Sequence, residues 1–432
     1  MDAGVSSDAV HGIAAFEEAA RAIAGAENLR AAVAADSIVR VPPRLVVEPA
    51  TETDLARVLK LANGAGLAVI PRGGGTKLAW GNPPRRADVV LSTARLNAIV
   101  EHAHSDLTVT AEAGCTIAQL AETLAQHNQR LALDALWPSR ATVGGILSTN
   151  DSGALRLRFG SLRDLVIGVT LALPDGTLAK SGGKVVKNVA GYDLPKLVTG
   201  AIGTLGVITQ ATFRLHPMPK EARTISCLAR DTREGQRLLL AIQNSKLAHS
   251  ALQIRFVESM RPQLDVLFEA TEAGCAAQTE QLRKVLSPAA TIDSGAAVWK
   301  ARQELYSEAT TNNANSALAK ISVLPTQIAD AYQSLSSIAA ANRIRFNAVI
   351  QATGLGTIYF AGQPSDMAPT LTQLRARVEA LDGSLGIAHG PDATPGLDAW
   401  GNAGDALPLM REVKRQFDPK STLNPGRFVG GL

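Results

Sequence analysis

The residues best placed to do chemistry form one short run, Ile70-Pro71-Arg72-Gly73-Gly74-Gly75-Thr76-Lys77-Leu78. Three successive glycines let the backbone turn tightly and point its N–H groups at an anion. Arg72 and Lys77 flank the turn with positive charge, so the run reads as a cradle for a pyrophosphate. The apolar Leu67 to Ile70 before it reads as a strand. A dinucleotide or nucleoside-triphosphate glycine loop would open into a helix. Here Pro83 and Pro84 follow within Trp80 to Arg86, and two prolines exclude a helix there. A second run, Ala141 to Gly153, mixes glycines with hydroxyl and amide side chains around Val143 and Ile146-Leu147, and offers hydrogen bonds to a large polar ligand. A third, Gly203-Thr204-Leu205-Gly206, passes into the β-branched strand beginning at Val207-Ile208-Thr209.

The elements that must position these runs are mostly strands. Arg44 to Val47, Asp88 to Leu91, Thr108 to Ala111 and Val166 to Leu173 have strand character. Thr51 caps a helix, with Asp54 three residues on and Leu55, Val58, Leu59 and Ala62 on one face, ended by Gly64 and Gly66. A second helix starts near Thr116. This strand excess excludes a doubly wound sheet and predicts an α+β domain. His216-Pro217-Met218-Pro219 marks a boundary. Beyond it, strands at 224–229, 251–257 and 319–324, with others around Val349 and Ile358, alternate with helices over 233–246, 280–286 and 327–341. This predicts a helix-covered antiparallel sheet. The expected divisions are an N-terminal helical segment (1–39), a ligand-binding domain (40–219), a smaller second domain (220–410) and a tail (411–432). The alanine-rich stretch from Gly12 to Ala35 reads as one helix.

Composition narrows the class. The chain has 432 residues, 46% of them hydrophobic and 19% charged, with 43 Lys and Arg against 39 Asp and Glu. That balance, unclustered, gives no nucleic-acid stripe. Cys115, Cys227 and Cys275 stand far apart, which argues against a disulfide framework, an iron–sulfur cluster or a zinc site and for three buried thiols. The acidic start and the charges among the alanines do not form a secretory signal, and no apolar run reaches the ~20 residues of a membrane span. A cytoplasmic protein is expected, able to sit at a membrane through partners.

The order of the three glycine-containing runs resembles the FAD domain of the vanillyl-alcohol oxidase and p-cresol methylhydroxylase (PCMH-type) superfamily. Within it, Gly183-Lys184-Val185-Val186-Lys187-Asn188-Val189-Ala190-Gly191-Tyr192-Asp193-Leu194 and Phe417 to Phe428 are similar to the glycolate oxidase and D-lactate dehydrogenase branch. The resemblance implies a two-part FAD-binding domain, a ferredoxin-like α+β cap domain and a tail returning to the flavin. It implies that Pro71, Arg72, Gly73, Gly74, Gly75, Thr76 and Lys77 wrap the FAD pyrophosphate. Pro138, Thr142, Gly144, Gly145, Ser148, Asn150 and Gly153 would line the ribityl and isoalloxazine region. Val207 and Ile208 would meet the adenine, and Asn424 and Arg427 the isoalloxazine. For Lys187, Asn188 and Tyr192 a structural role is as good a reading as a contact. Many members tether FAD through a histidine in the first loop, where this chain has Thr76, so non-covalent FAD is expected.

The branch oxidises 2-hydroxy acids, and here the sequence departs from it. Its Gly-Glu-His-Gly segment appears as Ile387-Ala388-His389-Gly390, losing the glutamate. Asn347 to Phe360 holds no histidine, and Ala201-Ile202 replaces a Ser-Glu pair. No metal is expected, and His389 remains as a candidate base. These losses resemble the second flavin subunit of bacterial glycolate oxidase. That resemblance implies two partners, another FAD subunit and an iron–sulfur subunit, with glycolate oxidised to glyoxylate. The alternatives are a self-sufficient D-2-hydroxy-acid (D-lactate) dehydrogenase, a non-catalytic structural flavin subunit, and a UDP-sugar reductase using NADPH.

Overall fold

A computed structural model describes residues 7–183, 191–311, 313–390 and 394–432. Lys187, Asn188 and Pro391 lie outside them. Two sheets build the first half. Leu29–Ala31, Leu45–Val47, Val89–Ser92 and Val69–Arg72 form a four-stranded sheet in that order, parallel except for its first pair. Ile99–Ala103, Thr108–Glu112, Val207–Arg214, Val166–Ala172 and Leu178–Gly182 form an antiparallel sheet of five. The helix Glu52–Gly64 starts as the sequence indicates: Thr51 Oγ1 accepts from Asp54 N at 3.0 Å, and Leu55, Val58, Leu59 and Ala62 are buried. Loss of such a cap costs about 1 kcal/mol.

Two expectations need correcting. The N-terminal helix is Ser7–Ala24, not a helix to Ala35. Gly25, at φ +93°, breaks it, and Leu29–Ala31 becomes an edge strand antiparallel to Leu45–Val47. Phe16, Ala20 and Ala24 bury against the same core as that sheet. The run after Thr142, read only as a ligand-facing polar segment around Val143 and Ile146-Leu147, is a helix, Val143–Thr149. Val143, Ile146 and Leu147 recur at helical spacing and are fully buried, which leaves the polar residues for the other face.

The second half is one antiparallel sheet of eight strands, in the order Thr291–Ser294, Glu221–Leu228, Gln263–Ala270, His249–Phe256, Arg345–Gln351, Leu355–Ala361, Ser316–Ser322 and Ser384–His389. Helices Thr232–Gln243, Glu272–Leu286, Ile328–Ala341 and Pro364–Glu379 cover one face. The other face turns toward the first domain. Strand alternation sorts the residues. Ala317, Ala319 and Ile321 enter the helix-covered core, whereas Leu318 joins Trp80, Leu136 and Tyr306 in a cluster spanning the two halves. After helix Leu407–Phe417 the tail returns to the first domain. There Val69 N donates to Thr422 O at 2.7 Å and Asn424 N to Val69 O at 3.0 Å. Lys414 Nζ clamps this return, donating to Thr204 O, Asp418 Oδ2 and Leu423 O at 2.7, 2.6 and 3.0 Å.

Candidate functional site

One cleft collects most of the residues singled out from the sequence. Pro71 to Leu78, Thr142, Gly144, Gly145, Ser148, Val207, Ile208, Asn424 and Arg427 all line it, together with Thr93, Thr149, Ile202, Gly203 and Gly206. The glycine turn hangs from the strand Val69–Arg72 and is held by Thr93 N donating to Arg72 O at 2.8 Å. A Cβ on Gly73 would overlap Thr142 Oγ1, and one on Gly74 the carbonyl oxygen of Arg140. These glycines are therefore needed because two segments of the protein meet there. The N–H groups of Gly73, Gly74, Gly75, Thr76 and Lys77 have no acceptor among the described residues. A run of five such donors at the edge of a cleft suits phosphate oxygens.

The charges of the turn do a different job from the one expected. Arg72 is bound to Asp36 at 2.6 Å, and Lys77 is buried against Asp151 at 3.1 Å. The Asp36 carboxyl is held well below the usual range, first by Arg30 and then by its backbone and Arg72 partners. Both cations are thus neutralised within the protein, and the cradle is made of amides rather than of free charge. Arg427 is the exception. It is buried, donates to the carbonyl oxygens of Leu78 and Trp80, and has no carboxylate partner among the described residues. Burial pushes its guanidinium down to about 10. The Asn424 side chain donates to Ile202 O, while its buried Oδ1 has no partner. An anionic, hydrogen-bonding ligand would supply what both residues lack.

Five sequence-derived residues stand elsewhere, three of them expected at the cofactor. Pro138 is exposed, and its carbonyl accepts from Ala118 N at 2.9 Å. Gly153 packs against the Asp134 carboxylate, to which its N–H donates at 2.9 Å. Asn150 lines a second cavity instead. Tyr192 is 89% exposed. His389 lines a separate recess behind Gly81, Asn82 and Pro83.

That second cavity, about 440 Å³, lies between the domains and shares Thr149 and Ile202 with the cleft. Its charged lining among the described residues is Arg156, Arg302 and Lys320, with no carboxylate and no imidazole. Arg302 is engaged: it donates to Asp151 Oδ1 at 3.0 Å, Ser152 O at 3.1 Å and Asp134 O at 2.7 Å. Burial opposes ionisation of Asp151, but Arg302, Lys77 and Lys320 together bring its carboxyl down to about 2. Lys320 forms no ion pair among the described residues; its Nζ lies 3.8 Å from the centroid of the Trp80 ring. Arg156 donates to no acceptor there either, and burial lowers its pKa. Asn150 Oδ1, Ser152 Oγ and Gln351 Oε1 are buried without partners at the same cavity.

None of Arg156, Arg302 and Lys320 was reached from sequence. The one visible signal was a lysine inside the otherwise apolar run Ala317 to Ile321.

A two-sheet domain with an amide-lined cleft, capped by an antiparallel sheet and closed by a returning tail, is the fold of the PCMH type. Residues 43–182 match the FAD binding domain family, and residues 228–428 match the family of FAD linked oxidases, C-terminal domain. The chain thus carries both the FAD binding domain and the C-terminal domain of FAD linked oxidases, and its cofactor is FAD. It is 27% identical to a D-lactate dehydrogenase of Archaeoglobus fulgidus, over 90% of this chain and 92% of that one. It is 25% identical to glycolate oxidase subunit GlcD of Bacillus subtilis, over 89% of each. Substrate-bound p-cresol methylhydroxylase has the same fold, with TM-score 0.79 and 14% identity over 98% of this chain and 97% of that one. No His, Cys or Tyr side chain lines the cleft among the described residues. No helix among them is long and apolar enough to cross a membrane.

Proposed function

We propose that this chain is an FAD-dependent oxidoreductase acting on a small 2-hydroxy acid, with glycolate the first choice and D-lactate the alternative. Its bound FAD would be non-covalent, held by the Gly73 to Lys77 amides, Asn424 and Arg427. FAD supplies the two-electron acceptor. The protein binds the acid, excludes water and handles its proton. The observation that carries the reading is the cavity adjoining the cleft, which offers two cations without direct ion pairs, Lys320 and Arg156, and three unpartnered polar atoms. A planar guanidinium holds a carboxylate in two hydrogen bonds. The relatives' names, D-lactate dehydrogenase and glycolate oxidase subunit, favour the same substrate class.

The assembly is part of the proposal. Cys115, Cys227 and Cys275 are separately buried, so no thiolate set for a cluster comes together in this chain. By the resemblance to a glycolate oxidase subunit, electrons would pass to an iron–sulfur subunit, beside a second FAD subunit. A second reading, that the flavin here serves as scaffold and never meets substrate, is favoured by the lack of a carboxylate or imidazole in the cavity lining. The test is anaerobic mixing of the FAD-loaded chain with glycolate or D-lactate. Bleaching of the flavin band supports a working substrate site. A flavin that stays oxidised alone, and in the complete complex changes only through the partners, establishes the scaffold reading.

A further inference from the structure

Resting on that functional reading, the geometry points to Lys320 as the group that takes the hydroxyl proton of the substrate, while Arg156 carries its carboxylate. The cavity leaves little choice. Its titratable lining among the described residues is Arg156, Arg302 and Lys320. An arginine stays protonated at any working pH. His389 faces the other recess. Asp151 lies behind the wall, already shared by Lys77 at 3.1 Å and Arg302 at 3.0 Å. Lys320 alone can alternate between amine and ammonium.

Its position fits that work. It stands on the strand Ser316–Ser322, opposite Thr357 on one neighbour and Gly386 on the other, and both of these line the same cavity. Gly386 adds no side chain beside the amine. Burial pushes the ammonium down to about 8; Arg302, Lys77 and Arg156 repel it in the same direction, and Asp151 pulls the other way. A substrate carboxylate would also pull it back up, so the permanently charged Arg156 is the better partner for that group. Bases tuned into this range serve proton transfer near neutral pH. The Trp80 ring at 3.8 Å then faces the ammonium that forms. FAD, when bound, would accept the hydride released as the C2–H bond breaks. The O–H bond breaks and its proton joins the Lys320 Nζ lone pair. The carbonyl forms, so the acid loses two electrons and the flavin gains them.

Two measurements test this. Competitive labelling of the FAD-free chain with an amine reagent, read by mass spectrometry, should show Lys320 reacting with a midpoint near pH 8. Ordinary lysines titrate at about 10.4. Oxalate, a non-oxidisable analogue, should protect it. In the FAD-loaded protein, Lys320→Arg should bind oxalate within about threefold of wild type yet slow flavin reduction by roughly 10²–10⁴-fold. Lys320→Ala should be rescued by small primary amines. Lys320 titrating with the other lysines, or Lys320→Arg reducing its flavin at wild-type speed, overturns the role alone. A wild-type flavin that no 2-hydroxy acid reduces, alone or in complex, overturns the functional reading and the role together.

Discussion

The glycine-lined cleft and the cap cavity adjoin, yet they treat charge in opposite ways. In the cleft, Arg72 and Lys77 are spent on Asp36 and Asp151, and what faces the ligand is a row of amides. In the cavity, Lys320 and Arg156 are left without acidic partners in direct contact. A cofactor held for the life of the protein needs many fixed, neutral donors that match its shape. A substrate that comes and goes is better served by a few charges, strong in a confined space and released when the product leaves. The two regions meet at Asp151, whose carboxylate joins Lys77 from the glycine turn to Arg302 from the cap.

Asp151→Asn is therefore the change that should break both regions at once. It leaves two buried cations without their anion, which costs roughly 3–5 kcal/mol of stability. The sign with pH follows from the carboxyl, whose pKa of about 2 lies below its usual value. Its contribution is complete above about pH 4 and is lost as pH falls toward 2. Urea unfolding of wild type and Asp151→Asn should thus differ most at neutral pH and converge in acid. A gap that stays constant from pH 7 to pH 2 would show that the ion network is not what Asp151 supports.

Gly74→Ala should touch the cleft alone. The new methyl group meets the Arg140 carbonyl, a backbone atom that cannot rotate away. Overpacking of this kind costs about 1–3 kcal/mol. Opening the turn misaligns the five amides, so FAD affinity should fall by roughly tenfold to a hundredfold at 1.4 kcal/mol per decade. Oxalate binding by the cofactor-loaded fraction should stay near wild type. FAD fluorescence titration reads the first effect and calorimetry the second. A variant that loses oxalate and keeps FAD would refute the division of labour between the two regions.

The cleft was legible in the sequence because its chemistry is local. Glycine runs, a capped helix and a tail segment each carry their signal within a dozen residues, and fifteen of the eighteen residues expected at the cofactor fall on one cleft (all but Pro138, Asn150 and Gly153). The cavity was not legible, because it is assembled from afar. Arg156 and Arg302 sit on helices of different domains, and Lys320 on a strand that reaches the cavity only by pairing with Leu355–Ala361 and Ser384–His389. The charge of Arg72 misled for a related reason. Its partner Asp36 is thirty-six residues away, and only the fold shows that the charge is already taken.

His389→Gln gives the smallest expected effect and the sharpest contrast with Lys320. The histidine lies in the segment that, by resemblance, should hold the base, so a sequence argument ranks it first. Between Leu318 and Ala319 the pairing shifts register, so that Leu318 faces His389 while Ala319 faces Ile387 and Ala388 is skipped. Such a shift re-aims side chains. Ala388 then lines the cap cavity, while His389 lines the recess behind Asn82 and Pro83. Replacing the imidazole by a neutral amide of similar reach should leave anaerobic flavin reduction within about threefold, far short of the 10²–10⁴ that removal of a base brings. If His389→Gln instead slows reduction a hundredfold while Lys320→Arg does not, the proton leaves through the recess, and the cap cavity binds the acid without reacting with it.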